Sequence, residues 1–208
     1  MSIEKAYNSW AQQYDSNENK TRDLDQKSTI EILSKYNFET VLELGCGTGK
    51  NTKWLLEKAT KIIAIDFSDE MLNKAKEKIN NERVLFKKTN LLQDWGIDNE
   101  FANLITSSLT LEHIQDLNFI FKQAYLKLKP KGFFFINELH PFKQYSGSKA
   151  RFESENGTEV LEVYLHHISE YLNAAKNNDF KLVEIYEQFD NLDKNEIPRL
   201  ISFVFSKT

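Results

Sequence analysis

Short apolar runs alternate with segments of helical spacing through the middle of the chain. The runs have the length of buried strands and cover residues 40–44, 61–65, 83–86, 101–107 and 133–136. Apolar side chains recur every three or four residues between them, at 52–58, 68–79 and 113–128. Strands that alternate with helices predict an α/β fold, in which a parallel sheet is covered by helices on both faces.

The flanking segments add helices before this sheet and two strands after it. Residues 3–14 and 26–36 have helical spacing, with a polar loop between them at 15–25. Beyond a long segment at 141–165, helical spacing returns at 166–176, and apolar runs typical of strands follow at 181–186 and 200–205. Because the chain has no internal repeat, linker or low-complexity tract, we expect a single domain over residues 1–208.

Composition excludes several kinds of partner and site. The formal net charge of −4 and the lack of a basic cluster do not favour a nucleic-acid partner. No apolar run approaches the roughly 20 residues needed to span a bilayer, and residues 1–20 do not resemble a signal peptide, so we expect a cytoplasmic protein. The single cysteine, Cys46, and the adjacent His166 and His167 do not predict a metal site.

Candidate chemistry lies where the first two strands end. Gly45, Gly47 and Gly49 fall within five residues directly after the first run, and Asp66 ends the second run, 19 residues after Gly47. Ligands of open parallel sheets bind at the carboxyl ends of the strands, and an acidic residue at this spacing can accept hydrogen bonds from both ribose hydroxyls of an adenosine.

Two phosphate-binding motifs do not match this loop. A Walker A motif would need glycine at Leu44 and a hydroxyl residue at Asn51, and a dinucleotide fingerprint would need glycine at Lys50 or Thr52. Glu43 lies two residues before the first glycine, where a carboxylate would repel a pyrophosphate. A carboxylate at this position suits a ligand that carries a cationic amino-acid end and a sulfonium.

Three stretches in order resemble motifs of the class I S-adenosylmethionine-dependent methyltransferases. They are VLELGCGTGKNT (41–52), IIAIDFSDEML (62–72) and NLITSSLTLEHI (103–114). The segments 19–25, 138–152 and 197–203 resemble a subset of small bacterial members, of the type 11-like kind, without indicating a substrate. The resemblance implies a Rossmann-like, seven-stranded, mostly parallel sheet with a C-terminal antiparallel hairpin, and S-adenosyl-L-methionine as cofactor. It divides the chain into N-terminal cap helices (1–37), a cofactor-binding core (38–140) and a substrate-side insert with the hairpin (141–208).

The resemblance also implies roles for individual residues. The first loop would hold the methionine part of the cofactor, with Ser107 on the same side; its residues are Glu43, Gly45, Cys46, Gly47 and Gly49. Asp66 would hold the ribose, and the residues around the adenine would be Phe67, Met71, Asn90 and Leu91. Asn90 departs from the acid that the family commonly has after the third strand, but its side-chain oxygen can still accept a hydrogen bond.

Two residues are candidates for catalysis. Methyl transfer mainly requires the acceptor to be positioned in line, and a base is needed only if the acceptor must lose a proton. His140 follows the fifth strand beside Glu138 and is our candidate base. Tyr14, in a stretch that resembles the family's cap helix, would approach the reacting methyl. We expect His113 to fill the N-terminus of the helix after the fourth strand.

These features favour a methyltransferase acting on a small-molecule acceptor, as a monomer or weak homodimer. Candidate residues for an anionic acceptor are Arg22, Arg151 and Arg199. The alternatives are a noncatalytic module that binds S-adenosylmethionine or S-adenosylhomocysteine and acts through a protein partner, and a protein or RNA methyltransferase. We also expect residues 7–25 and 141–164 to form a lid over the open edge of the sheet.

Overall fold

The computed structural model describes residues 3–16, 18–148, 151–154, 157–160, 163–191 and 193–208. The helices are α1 (Ile3–Trp10), α2 (Lys20–Leu33), α3 (Lys50–Lys58), α4 (Asp69–Lys78), α5 (Leu117–Lys127), α6 (Pro141–Tyr145) and α7 (Ile168–Asn177). The strands are β1 (Thr40–Leu44), β2 (Lys61–Asp66), β3 (Val84–Lys88), β4 (Ala102–Ser108), β5 (Leu128–Leu139), β6 (Arg151–Ser154), β7 (Gly157–Val160), β8 (Phe180–Gln188) and β9 (Leu200–Lys207). Among these residues, no helix is both long and apolar enough to cross a membrane.

Seven strands form one sheet in the order β3-β2-β1-β4-β5-β9-β8. β1 to β5 pair in parallel, whereas β9 pairs antiparallel with both β5 and β8. The predicted α/β class, the mostly parallel seven-stranded sheet and the C-terminal antiparallel hairpin are therefore confirmed. β6 and β7 form a separate two-stranded sheet.

Side chains from the two faces of the sheet form two hydrophobic clusters. Successive residues of a strand point to opposite faces, so Phe134 lies in one cluster and Phe135 in the other. The same alternation separates Phe203 and Phe205 from Val204 on β9. Burial on both faces explains why these strands appear in the sequence as continuous apolar runs.

Several predicted boundaries were wrong, for local reasons. The predicted polar loop at 15–25 gives way to α2 at Lys20, since the side chain of Asn19 accepts a hydrogen bond from Arg22 N at 3.0 Å and caps the helix. The predicted helix at 113–128 begins only at Leu117, because Asp116 caps it, and residues 111–113 form a 3₁₀ turn.

A buried polar cluster fastens α2 to the sheet. The side-chain amide of Asn137 on β5 donates to Asp25 Oδ1 at 2.6 Å and to Ser28 Oγ at 3.0 Å. Ser202 on β9 donates through its hydroxyl to Asn137 Oδ1 at 2.7 Å. Polar side chains on the inner face of α2 explain why its first turns look like a loop in the sequence.

The packing on one face centres on Phe121 of α5. The centroid of this fully buried ring lies 5.2 Å from that of Phe134, 5.7 Å from that of Phe180 and 5.4 Å from that of Phe205.

We expect Phe121→Ala to lower the free energy of unfolding by about 3–5 kcal/mol, because the cavity it leaves adds to the lost burial. Phe142 is 54% exposed, so Phe142→Ala should change the free energy of unfolding by about 0.5 kcal/mol or less. Urea denaturation measures both, and equal effects would contradict this account of the core.

Candidate functional site

The loop after β1 turns sharply at three glycines. Gly45, Gly47 and Gly49 have φ angles of +67°, +52° and +82°, which side chains rarely allow. A Cβ atom on Gly45 would lie 2.2 Å from Thr110 Oγ1, whereas one on Gly47 would meet no atom within 4 Å. Gly45 therefore permits close packing against the segment after β4, and Gly47 leaves space open for a ligand.

Asp66 joins this loop to the end of β2. Its Oδ2 accepts a hydrogen bond from Gly47 N at 2.9 Å, and its Oδ1 accepts one from Ser68 N at 2.9 Å. Burial raises the pKa of Asp66 to about 6, and the backbone donors limit that rise. The carboxylate thus lies within the site and is held by two main-chain groups.

Glu43 is buried behind the glycine loop. Thr52 donates through its hydroxyl to Glu43 Oε2 at 2.5 Å, and burial raises the pKa of Glu43 to about 8. The side chain borders a space of about 60 Å³ that it shares with Gly45, Cys46 and Gly47. It approaches the site from below the loop.

A cavity of about 370 Å³ lies above the loop, beneath α1. It contains eight of the residues predicted to form the site: Tyr14, Gly45, Gly47, Asp66, Phe67, Met71, Asn90 and Leu91. The structure adds residues from α1, from the end of β4 and from the segment after it; among them are Ile3, Glu4, Tyr7, Ser108, Leu109, Thr110, His113 and Ile114.

Three other predicted residues do not line this cavity. Cys46 is buried in the hydrophobic cluster below the loop, and Gly49 begins α3 in the left-handed conformation. Ser107 is fully buried, and its neighbour Ser108 lines the cavity in its place. Side chains alternate along β4, so a shift of one residue decides which serine faces the site.

The helix α1 closes the first cavity through contacts with three parts of the core. A hydrogen bond of 2.8 Å joins the Tyr7 hydroxyl to His113 Nε2. Ser68 donates to Asn8 Oδ1 at 2.6 Å, and Lys88 Nζ lies 2.9 Å from Glu4 Oε1. His113 was predicted to fill a helix N-terminus, but it lies in the turn before α5 and faces the cavity. Only its place in the stretch after β4 indicated a role in the site.

A second cavity of about 600 Å³ adjoins the first. The two share Tyr7, Tyr14 and Leu109, and the second also reaches Lys20, Arg22, Glu112, Leu139, Ser146, Gly147, Ser148 and Arg199. The guanidinium of Arg22 lies 4.1 Å from the ring centroid of Tyr14, and it donates to the Tyr14 carbonyl. Arg199 pairs with Asp190. The side chain of Arg151 lies outside what the structure describes.

His140 does not lie in either cavity. Its ring is fully buried, Nδ1 accepts a hydrogen bond from Phe142 N at 3.1 Å, and Nε2 lies 3.1 Å from Glu187 Oε1. Burial lowers its pKa and the neighbouring Glu187 opposes that change. With both ring nitrogens engaged, His140 caps α6, and the structure does not bring this predicted base to Tyr14.

Comparison with known proteins agrees with this geometry. A family model described as a methyltransferase domain matches residues 13–185. The chain belongs to the class I S-adenosylmethionine-dependent methyltransferase family. Its cofactor is S-adenosyl-L-methionine.

Three of the methyltransferase's relatives illustrate the range of similarity. It is 30% identical to malonyl-[acyl-carrier protein] O-methyltransferase of Priestia megaterium, over 62% of this chain and 48% of the relative. It is 31% identical to phosphoethanolamine N-methyltransferase 1 of Triticum aestivum, over 64% of this chain and 28% of the relative. The chain thus spans less than half the length of these curated relatives. The solved DhpI complex with S-adenosylhomocysteine shares the fold, with a TM-score of 0.75 and 19% identity over 97% of this chain and 93% of that one.

The residues of the methyltransferase's first cavity fit this cofactor. The volume lies within the range of small-molecule sites, the carboxylate of Asp66 is available to hydroxyl donors, and Gly47 leaves room beside it. Buried carboxyl groups surround the loop at Asp25, Glu43 and Asp66. A ligand with a positive sulfonium and ammonium suits such surroundings.

These buried carboxyl groups make the stability of the ligand-free methyltransferase depend on pH. Burial raises the pKa to about 6 for Asp66, about 7 for Glu112, and about 8 for Glu43 and Glu138. Their pKa values in the unfolded chain are near 4. Between that pH and the pKa of each group in the folded state, the folded protein therefore binds more protons than the unfolded chain. Their stabilising contribution is complete below about pH 4 and is lost as the pH rises through 6 to 8.

We therefore expect the melting temperature of the ligand-free protein to fall between about pH 5 and about pH 8.5. Scanning calorimetry measures this, and Glu43→Gln should make the dependence shallower because it removes one of the titrating groups. Asp15 and Asp190, whose pKa values are lowered, stay ionised throughout this range and do not contribute. A melting temperature that rises over the interval would contradict the assignment.

Proposed function

We propose that this methyltransferase methylates a small-molecule acceptor bound in the second cavity. The observation that carries the proposal is the common wall of the two cavities, formed by Tyr7, Tyr14 and Leu109. An acceptor in the second cavity would lie beside the cofactor, which supplies an activated methyl group when bound. We further propose that the chain forms one domain, with its N-terminal helices as a cap and residues 141–208 on the acceptor side.

The first cavity suggests which residues hold the cofactor. Asp66 would accept hydrogen bonds from the ribose hydroxyls, because its carboxylate already lies at the ends of β1 and β2. The buried acid of Glu43 would favour the ammonium end from beneath the loop. The apolar side chains at the other end of the cavity would pack against the adenine; they are Phe67, Met71 and Leu91.

Tyr14 would position the acceptor as a neutral phenol. It borders both cavities, and burial raises its pKa to about 12 despite the nearby Arg22. At neutral pH its hydroxyl keeps its proton, so it can donate a hydrogen bond but is a poor base. This supports a role in orienting the acceptor next to the cofactor.

The charges of the second cavity favour an acceptor with an anionic group. The basic residues Lys20, Arg22 and Arg199 line it and outnumber the acidic residues, which are Glu18 and Glu112. Guanidinium groups suit carboxylate and phosphate. The two curated relatives are named for malonyl and phosphoethanolamine acceptors, both of which contain anionic groups. The noncatalytic alternative predicts a narrow or blocked edge beside the fifth strand, and the 600 Å³ of space reaching Leu139 favours the enzyme.

The cofactor assignment of Asp66 can be tested by calorimetry. We expect Asp66→Ala to weaken binding of S-adenosylhomocysteine by about 1–3 kcal/mol, since two hydroxyl groups lose a charged acceptor. Asp69→Ala removes the same charge from an exposed position and is the matched control. Gly47→Val should weaken binding further, because its side chain would enter the cavity. An unchanged dissociation constant in folded Asp66→Ala would contradict the ribose role, and binding of NAD instead would contradict the cofactor.

The proposed lid can be tested by hydrogen exchange. Residues of helix α1, Tyr14 and residues 146–148 line the cavities, and we propose that these segments close over bound ligands. Residues 17, 149–150, 155–156 and 161–162 of the predicted lid lie outside the described residues. We expect amides of 7–25 and 141–164 to exchange faster than those of the sheet and to gain protection when S-adenosylhomocysteine binds. Exchange as slow as the sheet in both states, or no gain on binding, would show that there is no lid.

A further inference from the structure

Two buried glutamates each leave one oxygen without a hydrogen-bond partner at the acceptor side of the site. Glu112, in the turn between β4 and α5, lines the second cavity and is 8% exposed. Glu138, near the end of β5, is 1% exposed. Within the described part of the chain, Oε2 of each carboxyl group has no partner. A buried carboxylate oxygen without a donor is costly, and Glu112 lines the second cavity, so its unpartnered oxygen points to a group supplied by a ligand. Glu138 lines neither cavity and lies behind Glu112.

The second glutamate holds the first in place. Glu138 Oε1 accepts hydrogen bonds from Thr110 N at 2.9 Å and Leu111 N at 2.8 Å, which fixes the turn that carries Glu112. The side chain of Gln144 donates to Glu112, and the Glu112 carbonyl accepts from Tyr164 N at 2.7 Å. The next residue, His113, lines the cofactor cavity. Glu112 is therefore fixed at the boundary between the two cavities.

The ionisable groups that interact with Glu112 are all acids. Glu138 on β5, Tyr7 on α1 and Tyr171 on α7 interact with it electrostatically. Burial raises the pKa of Glu112 to about 7, and burial together with Glu112 raises that of Glu138 to about 8. A positive charge beside the pair would favour the ionised form of both carboxyl groups.

Aromatic faces in the same cavity also suit a cation. Tyr7, Trp10 and Tyr14 line it, and the rings of Trp10 and Tyr14 already pack against the guanidinium of Arg22. Arg199 is paired with Asp190, and Arg22 donates to the carbonyl of Tyr14. The cavity thus combines the buried acid of Glu112 with basic groups, and the exposed Glu18 lies near Lys20 among the latter.

We propose that Glu112 binds an amino group of the acceptor, which makes the acceptor a small amine. The inference rests on the proposed function and narrows its substrate class. Because Lys20 and Arg22 line the same cavity, an acceptor that carries both an amino group and an anionic group satisfies both kinds of residue. Glu138 acts as a positioning residue through the backbone of Thr110 and Leu111.

Three probes of matched size test the proposal on the full-length protein loaded with S-adenosylhomocysteine. β-Alanine carries an amine and a carboxylate, propylamine only the amine, and propionate only the carboxylate. Calorimetry or ligand-observed NMR gives the three dissociation constants. We expect β-alanine to bind most tightly, and Glu112→Gln to weaken both amines by about tenfold or more while propionate is unaffected. Glu112→Asp should restore part of the amine affinity.

Controls separate this proposal from the proposed function. Glu57→Gln removes the same charge from an exposed position of α3 that lines neither cavity, and it should leave all three affinities unchanged. Affinity for S-adenosylhomocysteine should persist in Glu112→Gln, which also reports that the variant folds. Amine binding that is absent, weaker than that of propionate, or insensitive to Glu112→Gln would overturn the inference alone. Failure of the wild-type protein to bind S-adenosylhomocysteine would overturn the proposed function as well.

Discussion

The carboxylate of Asp66 holds the site together, because one oxygen accepts the amide of Gly47 and the other accepts that of Ser68. These two bonds connect the loop after β1 to the start of α4. They require Gly47 to keep a backbone conformation that favours glycine and that leaves open space beside the loop. The first cavity exists because this turn is fixed without side chains in its way.

The concentration of buried acids at the site follows from the parallel arrangement of the strands. Parallel strands bring their carboxyl ends to one edge, and the chain places acids there at Glu43, Asp66 and Glu138. Each is buried, and burial raises each pKa. The ligand-free fold therefore carries a cost at neutral pH, and a positive charge beside these acids would offset part of that cost.

The N-terminal helices complete a site that the sheet leaves open. α2 is anchored by Asn137 to the middle of the structure, and its Arg22 packs against Tyr14 in the turn after α1. Through Tyr7 and His113 the cap also contacts the segment after β4. Tyr7 and Tyr14 consequently border both cavities together with Leu109, so the position of the N-terminal helices shapes the space where the cavities adjoin.

Local sequence was sufficient for the parts of this protein that depend on periodicity and close spacing. Apolar runs predicted the strands because these are buried on both faces. The glycines with Asp66 predicted a ligand-binding loop at the ends of the first two strands, and the resemblance of three stretches in order to the family's motifs implied which cofactor it binds. The start of α2 was missed because its polar side chains face inward, towards Asn137. His140 and His113 exchanged their expected places: His140 caps α6, whereas His113 is hydrogen-bonded to Tyr7 and lines the first cavity. Only the packing of α6 and α1 determines this. Glu112 and Glu138 lie 26 residues apart in sequence, and their proximity arises only when β4 and β5 pair. The sequence by itself determined the fold class, and its resemblance to the family predicted the cofactor. Tertiary structure alone decided which residues meet at the second cavity, because no local pattern records contacts between distant segments.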